Sequence, residues 1–221
     1  MKAMILAAGK GERMLPLTRS TPKPLLIAGD RPLIVHHIER LASAGVTDII
    51  INTAHLGKQI HAALGDRWLG NVAIRYSHEA KTGLETAGGI ARALPLLGEE
   101  PFILVNADVW TDYPFTKLSP DLKGVAHLVM VDNPAHNPSG DFALKNGKIH
   151  NDGESRLTFS GISVIRPRLI RNAEPGPHKL APFLRKAASE GLVSGERHMG
   201  IWDDIGTQER LEALNRCLKN N

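Results

Sequence analysis

Cysteine is almost missing: Cys217 is the only one in 221 residues. One thiol closes no internal disulfide, and nothing pairs with it at zinc-site spacing. It reads as a packing residue on a C-terminal helix. Aromatic residues make up 5%, too few for a surface that stacks successive bases of single-stranded nucleic acid. The net charge is +4 and the pI about 9.3, yet no long Lys/Arg run occurs. No nucleic-acid partner is therefore expected. No apolar stretch reaches membrane-spanning length, so no membrane partner is expected either. The opening MKAMILAAGKG turns polar and glycine-rich too early for a secretory leader. These absences point to a reducing, cytoplasmic compartment. What is present is 42% hydrophobic and 23% charged residues, enough for a sizeable buried core.

The first half alternates strand and helix. Apolar, often β-branched runs at Lys2–Ala7, Asp48–Thr53, Val72–His78 and Phe102–Asn106 predict strands. Helices are expected at Pro32–Ala44, Leu56–Leu64 and Thr86–Leu97, the first with proline in its opening turn and Gly45 past its end. This order predicts an α/β fold, with a parallel sheet and helices on both faces. The second half changes character. Strands are expected at Val125–Val131, Phe142–Lys145, Lys148–His150, Thr158–Ile165 and Leu192–Met199. Asn146-Gly147 marks a two-residue hairpin turn. Helices are expected at Pro167–Arg171, Leu180–Glu190 and Thr207–Lys219. No repeat or linker stands out, so 1–221 reads as one domain whose C-terminal half, 111–221, covers a nucleotide-binding half, 1–110.

Ligands of an open α/β sheet sit beyond the carboxyl ends of its strands. Three segments arrive there. The loop after the first strand holds Ala8, Gly9, Gly11, Glu12 and Arg13, then Pro22-Lys23-Pro24. Its glycines admit an anion to backbone N–H groups, and Arg13 and Lys23 add two charges, which suits a triphosphate. Segment 82–89 surrounds a helix start, where Gly83, Thr86, Ala87 and Gly88 suit a base or ribose. Asn106 and Asp108 stand at the tip of the Phe102–Asn106 strand. A dinucleotide fingerprint does not fit, because Met14 holds the third glycine position and the prolines forbid an early helix. No P-loop motif occurs. His36, His37, His55, His61 and His78 show no ligand spacing and read as structural or surface residues.

The stretch LAAGKGERMLPLTRSTPKPLL resembles the signature of the sugar nucleotidyltransferases, L-A-A-G-x-G-x-R followed by P-K-P. VNAD at Asp108 and WDDIGT at 202–207, similar to a W-x-D-x-G-T ending, extend the likeness along the chain. The resemblance implies a three-layer, doubly wound, mostly parallel Rossmann-like nucleotidyltransferase fold, with antiparallel strands in the C-terminal half. It implies Mg²⁺ held by Asp108 and Asp204, and catalytic roles for Arg13 and Lys23. In such a reaction a sugar 1-phosphate oxygen attacks the α-phosphorus of a nucleoside triphosphate, and pyrophosphate leaves. The attacking phosphate is already ionised, its second pKa being about 6, so no general base is required. Positioning and charge neutralisation carry the rate. Arg13 is expected to offset charge on the departing phosphates, and Lys23 to bridge the α-phosphate and the sugar phosphate.

The substrate pair is less directly written. No E-K-P precedes the sugar-site strand; Gly140, Asp141, Glu154 and Gly161 are left as sugar-site candidates. LETAGG places Glu85 where relatives such as mannose 1-phosphate guanylyltransferases carry glycine. Shortness, LETAGG and the missing E-K-P are most similar to the N-acetylmuramate 1-phosphate uridylyltransferases, which act in cell-wall recycling. That implies UTP and N-acetyl-α-muramate 1-phosphate as partners, and a monomer is compatible with it. Arg156, Lys145 or His150 would receive the muramate carboxylate. The competing readings are a mannose 1-phosphate guanylyltransferase, a glucose 1-phosphate uridylyltransferase, and a non-catalytic module that binds a sugar nucleotide.

Overall fold

The computed structural model describes residues 1–79 and 83–219. In chain order the strands are β1 (Ala3–Leu6), β2 (Ile27–Ala28), β3 (Arg31–Pro32), β4 (Asp48–Thr53), β5 (Arg67–Trp68), β6 (Val72–His78) and β7 (Phe102–Asn106). They continue as β8 (Val109–Thr111), β9 (Ala126–Val131), β10 (Phe142–Lys145), β11 (Lys148–His150), β12 (Arg156–Ile165), β13 (Val193–Arg197) and β14 (Trp202–Asp204). The α-helices are α1 (Leu33–Ser43), α2 (Gly57–Leu64), α3 (Glu85–Leu97), α4 (Leu180–Ser189) and α5 (Gln208–Lys219). Pro167–Leu169 is a single 3-10 turn rather than the longer helix expected there.

One ten-stranded sheet runs β10-β11-β13-β9-β12-β7-β1-β4-β6-β5. Its centre, β7-β1-β4-β6, is parallel. Strands β9 to β13 do not form a separate layer. They extend the same sheet, with β12 antiparallel to both β7 and β9, so the sheet is mixed.

Side-chain alternation sorts the two faces. Ala3, Ile5 and Ala7 join α1 and α2 in one core, through Ile34, Ile38, Leu41, Ile60 and Leu64. Met4 joins α3 and α4 in the other, through Ile90, Leu97, Leu180 and Leu184. The central strands are buried on both sides, which is why they read as unbroken apolar runs. Each fully buried Ile or Leu contributes about 1.5–3 kcal/mol relative to exposure. A third cluster joins the opening loop to the C-terminal helix: Met14, Leu26 and Leu33 pack on Ile205, Leu211 and Leu214. Cys217 is exposed, against the packing role expected, because the apolar stripe of α5 runs 211, 214, 218 and passes beside it.

Two local devices position the site. Asn146 and Gly147 both have positive φ, 51° and 72°, as a tight hairpin turn demands. In β12 the register with β9 shifts between Phe159 and Ser163, around Gly161 at φ 80°. A side chain at Gly161 would stand 2.6 Å from the Asn106 amide nitrogen.

Candidate active site

Lys23 is 9% exposed, a rare state for a lysine unless paired. Its position follows from the prolines. Pro22 is extended, and Lys23–Leu25 forms a 3-10 turn closed by Leu26 N–H donating to the Lys23 carbonyl at 3.1 Å. Its Nζ lies 2.5 Å from Asp108 Oδ2. The opening loop and the β7 tip therefore meet through one ion pair.

A cavity of about 790 Å³ opens beside that pair. Among the sequence candidates, Ala8, Gly9, Lys23, Gly83, Thr86, Asn106 and Asp108 line it. Glu85, noted in the LETAGG segment, lines it, as do Lys10, Asn52 and Glu79, which the sequence did not single out. Asn52 and Glu79 act through backbone geometry that no motif records. Asn52 Oδ1 accepts the Ala7 N–H at 2.8 Å, Asn52 Nδ2 donates to Glu79 Oε1 at 2.6 Å, and Glu79 Oε2 accepts the Leu84 N–H at 2.9 Å. This relay ties the glycine loop to the start of α3. Glu85 has φ 58°, a conformation that favours glycine. Thr82, the first residue of the expected base segment, lies outside the described residues.

Other candidates stand elsewhere. Ala87 and Gly88 are buried, and the His178 carbonyl accepts both of their N–H groups, at 2.8 and 3.3 Å. These amides are taken by the chain itself, so they do not face the cavity as expected. Gly11 accepts from Thr18 Oγ1 at 2.8 Å and turns the loop at φ 67°. Glu12 is exposed, 3.8 Å from Lys10. Arg13 is exposed and lines neither cavity; its guanidinium lies against Gly206, where a Cβ would stand 3.1 Å from Nη2. The family-like opening and ending thus touch directly. Gln208 Nε2 reinforces this by donating to the Leu15 carbonyl at 2.7 Å.

Asp204 arrives by a two-stranded ribbon in which β14 pairs antiparallel with β8, Asp204 opposite Val109. The Ile205 N–H donates to the Asp108 carbonyl at 2.7 Å. The C-terminal half therefore brings Asp204 beside the β7 tip. Asp204 Oδ1 pairs with Arg210 and lies 3.1 Å from His136 Nε2. Burial, then the neighbouring Asp204 charge, pushes the Asp203 carboxyl up. The donors here are carboxylate oxygens, which suit a hard divalent cation. Among the described residues no three His, Cys, Asp or Glu side chains form a closed cage. The set fits an ion that takes its remaining ligands from water and substrate phosphates.

A second cavity, about 270 Å³, shares Thr86 and Asn106 with the first and is walled by Asp141, Phe142, Phe159, Leu184 and Arg185. Of the sugar candidates only Asp141 lines it; its Oδ2 accepts the Phe159 N–H at 2.8 Å. Gly140 is buried against Asn133 and the Arg156 backbone, a turn constraint at φ 61°. Glu154 is exposed on a loop and lines neither cavity. Gly161 acts by making room for Asn106.

Residues 2–142 match the family model described as nucleotidyl transferase. The chain is 51% identical to the N-acetylmuramate alpha-1-phosphate uridylyltransferase of Neisseria meningitidis serogroup B, over 96% of each chain. It is 33% identical to a mannose-1-phosphate guanyltransferase of Aspergillus fumigatus, over 93% of this chain but 61% of that longer protein. Among solved structures, HddC from Yersinia pseudotuberculosis superposes with a TM-score of 0.80 at 21% identity, over 98% of each chain, and so shares the fold. A sheet whose glycine loop and strand-tip aspartate line one cavity, with Asp204 on a C-terminal ribbon that lines neither cavity but is hydrogen-bonded to that strand tip, together with these matches, places the chain in the nucleotidyl transferase family.

Proposed function

We propose that the chain transfers a uridylyl group from UTP to N-acetyl-α-muramate 1-phosphate, releasing pyrophosphate and giving UDP-N-acetylmuramate. The observation that carries this reading is the junction of two cavities at Thr86 and Asn106. The larger has room for a nucleoside triphosphate beside Lys23 and Asp108, and the smaller for a single sugar. Near-complete overlap with the Neisseria uridylyltransferase supports the choice of base and sugar.

Lys23 Nζ stands at the mouth shared by the loop and the strand tip. From there it would bridge the α-phosphate and the attacking sugar phosphate, holding both in line. Arg13 would offset charge on the departing β- and γ-phosphates. The N–H groups near Gly9 would donate to phosphate oxygens. Asp108 and Asp204 would hold Mg²⁺, which supplies charge neutralisation at the phosphates when bound. Asn106 would orient the sugar, and Asp141 would accept its hydroxyl protons through the oxygen not given to Phe159.

No helix among the described residues is long and apolar enough to cross a membrane. A cytoplasmic enzyme of cell-wall amino-sugar recycling is the setting this substrate reading implies. The test is pyrophosphate release from UTP, CTP, GTP and dTTP, each crossed with a panel of sugar 1-phosphates, with Mg²⁺ and with a chelator. Strong turnover is expected only with UTP, the muramate ester and Mg²⁺. A preference for GTP and mannose 1-phosphate would overturn the substrate assignment, and Mg²⁺-independent turnover would overturn the metal assignment.

A further inference from the structure

We infer that Arg185, on α4, is the specificity-determining residue that receives the carboxylate of the sugar's lactyl ether. This inference rests on the acidic-sugar reading above and names the group that enforces it. The sequence offered Arg156, Lys145 and His150 for this task. None of them lines the sugar cavity. Arg156 Nη2 donates to the Asp141 carbonyl at 2.7 Å, which holds it in the wall. Lys145 and His150 are exposed on the β10-β11 hairpin.

Arg185 does line the cavity. Its guanidinium carbon lies 4.9 Å from the Phe142 ring centroid, and Phe142 is itself buried wall. Stacking on an aromatic face orients a guanidinium and leaves its N–H edge free for an oxyanion. Among the described residues no Asp or Glu pairs with it. The lining carries one opposing charge, Asp141, whose Oδ2 is engaged by Phe159 N–H. A lone guanidinium at the wall of a sugar-sized cavity calls for an anion on the sugar.

That anion is not the phosphate. The phosphates belong with Lys23 in the larger cavity, and Lys23 does not line the smaller one. Among the described residues the two cavities share Thr86 and Asn106 in their walls. A substrate spanning both therefore presents a second acidic group, on the ring rather than at its anomeric end. A carboxylate takes two parallel N–H donors from one guanidinium.

The test compares N-acetylmuramate 1-phosphate with N-acetylglucosamine 1-phosphate, which has the same ring without the lactyl ether. Arg185→Ala, Arg185→Lys and Arg185→Glu are assayed on both. Arg185→Ala is expected to raise KM for the acidic sugar about tenfold to a hundredfold, the scale of a lost charged hydrogen bond. KM for UTP and kcat/KM on the neutral sugar should stay near wild type, so that discrimination collapses. Arg185→Glu should lose more on the acidic sugar and gain relative preference for the neutral one; Arg185→Lys should recover part of the loss. Arg185 is exposed, so the variants are expected to fold, and a melting curve of each checks this. An equal loss on both sugars would overturn the Arg185 assignment alone. Wild-type enzyme that uses the neutral sugar as well as the acidic one would overturn that assignment and the substrate reading together.

Discussion

Replacing Lys23 with Met separates its two jobs. The side chain is similar in length and apolar, so the 3-10 turn at 23–25 should survive. What is lost is a charge 2.5 Å from Asp108 Oδ2. The lysine side chain is 10% exposed and that of Asp108 35%. The pair thus lies between an exposed bridge, with a median near 0–1 kcal/mol, and a buried one, whose disruption costs about 3–5 kcal/mol. A stability loss of about 1–2 kcal/mol is expected, or a fall in Tm of roughly 2–8 °C for a chain of this size. The catalytic loss should be larger. One preorganised group aimed at developing charge is worth about 10²–10³ in kcat. The second substitution makes the test sharp. Asp108→Asn added to Lys23→Met removes the orphaned carboxylate, so Tm should recover while turnover does not. Pyrophosphate release and thermal unfolding of the two variants measure both quantities. Near-wild-type kcat in Lys23→Met, or turnover restored together with stability in the double variant, would refute the catalytic role.

Two further outcomes follow from the packing. Gly206→Val places a branched side chain where Cβ already meets the Arg13 guanidinium at 3.1 Å. Because a flexible arginine tip can move, Tm should change little, whereas displacing that charge should lower kcat/KM about tenfold to a hundredfold; unchanged activity would detach Arg13 from the reaction. His37 is buried, with Nε2 2.6 Å from the Val109 carbonyl, and burial pushes its pKa down from 6.5 to about 4. The unfolded chain therefore binds a proton that the folded chain refuses between those values. Stability is full above pH 6.5 and falls as the pH drops toward 4, by about 2 kcal/mol at pH 5 for this group. Urea midpoints at pH 7 and pH 5 should converge in His37→Phe, and an unchanged pH slope would exclude the histidine as its source.

Strands buried on both faces were legible because their apolar runs carry a length and a β-branched composition that a helix would not. The bounds of β4 and β7 agree with the sequence reading for that reason; those of β10 and β11 agree because Asn146-Gly147 marks the turn between them. The β8–β14 ribbon was not legible. Trp202-Asp203-Asp204 is polar and three residues long, and only its partner makes it a strand. Ala87 and Gly88 looked like free helix-start amides because nothing local shows that the His178 carbonyl, ninety residues on in sequence, would take them. Asn52, Glu79 and Arg185 belong to no motif. Their importance comes from what stands across the cavity from them.

Local chemistry, then, was enough to specify the glycine loop and the alternation of strand and helix, and to pick out Lys23, which the structure places in the wall of the larger cavity. Those features depend on neighbours within a few residues: backbone freedom, proline geometry and side-chain periodicity. The tertiary structure alone decided that Arg13 rests on Gly206, that Asp204 comes to lie beside the β7 tip, and that Arg185 lines the smaller cavity. Each of these joins residues far apart in the chain, and such contacts arise only when sheet order and helix packing bring them together in space.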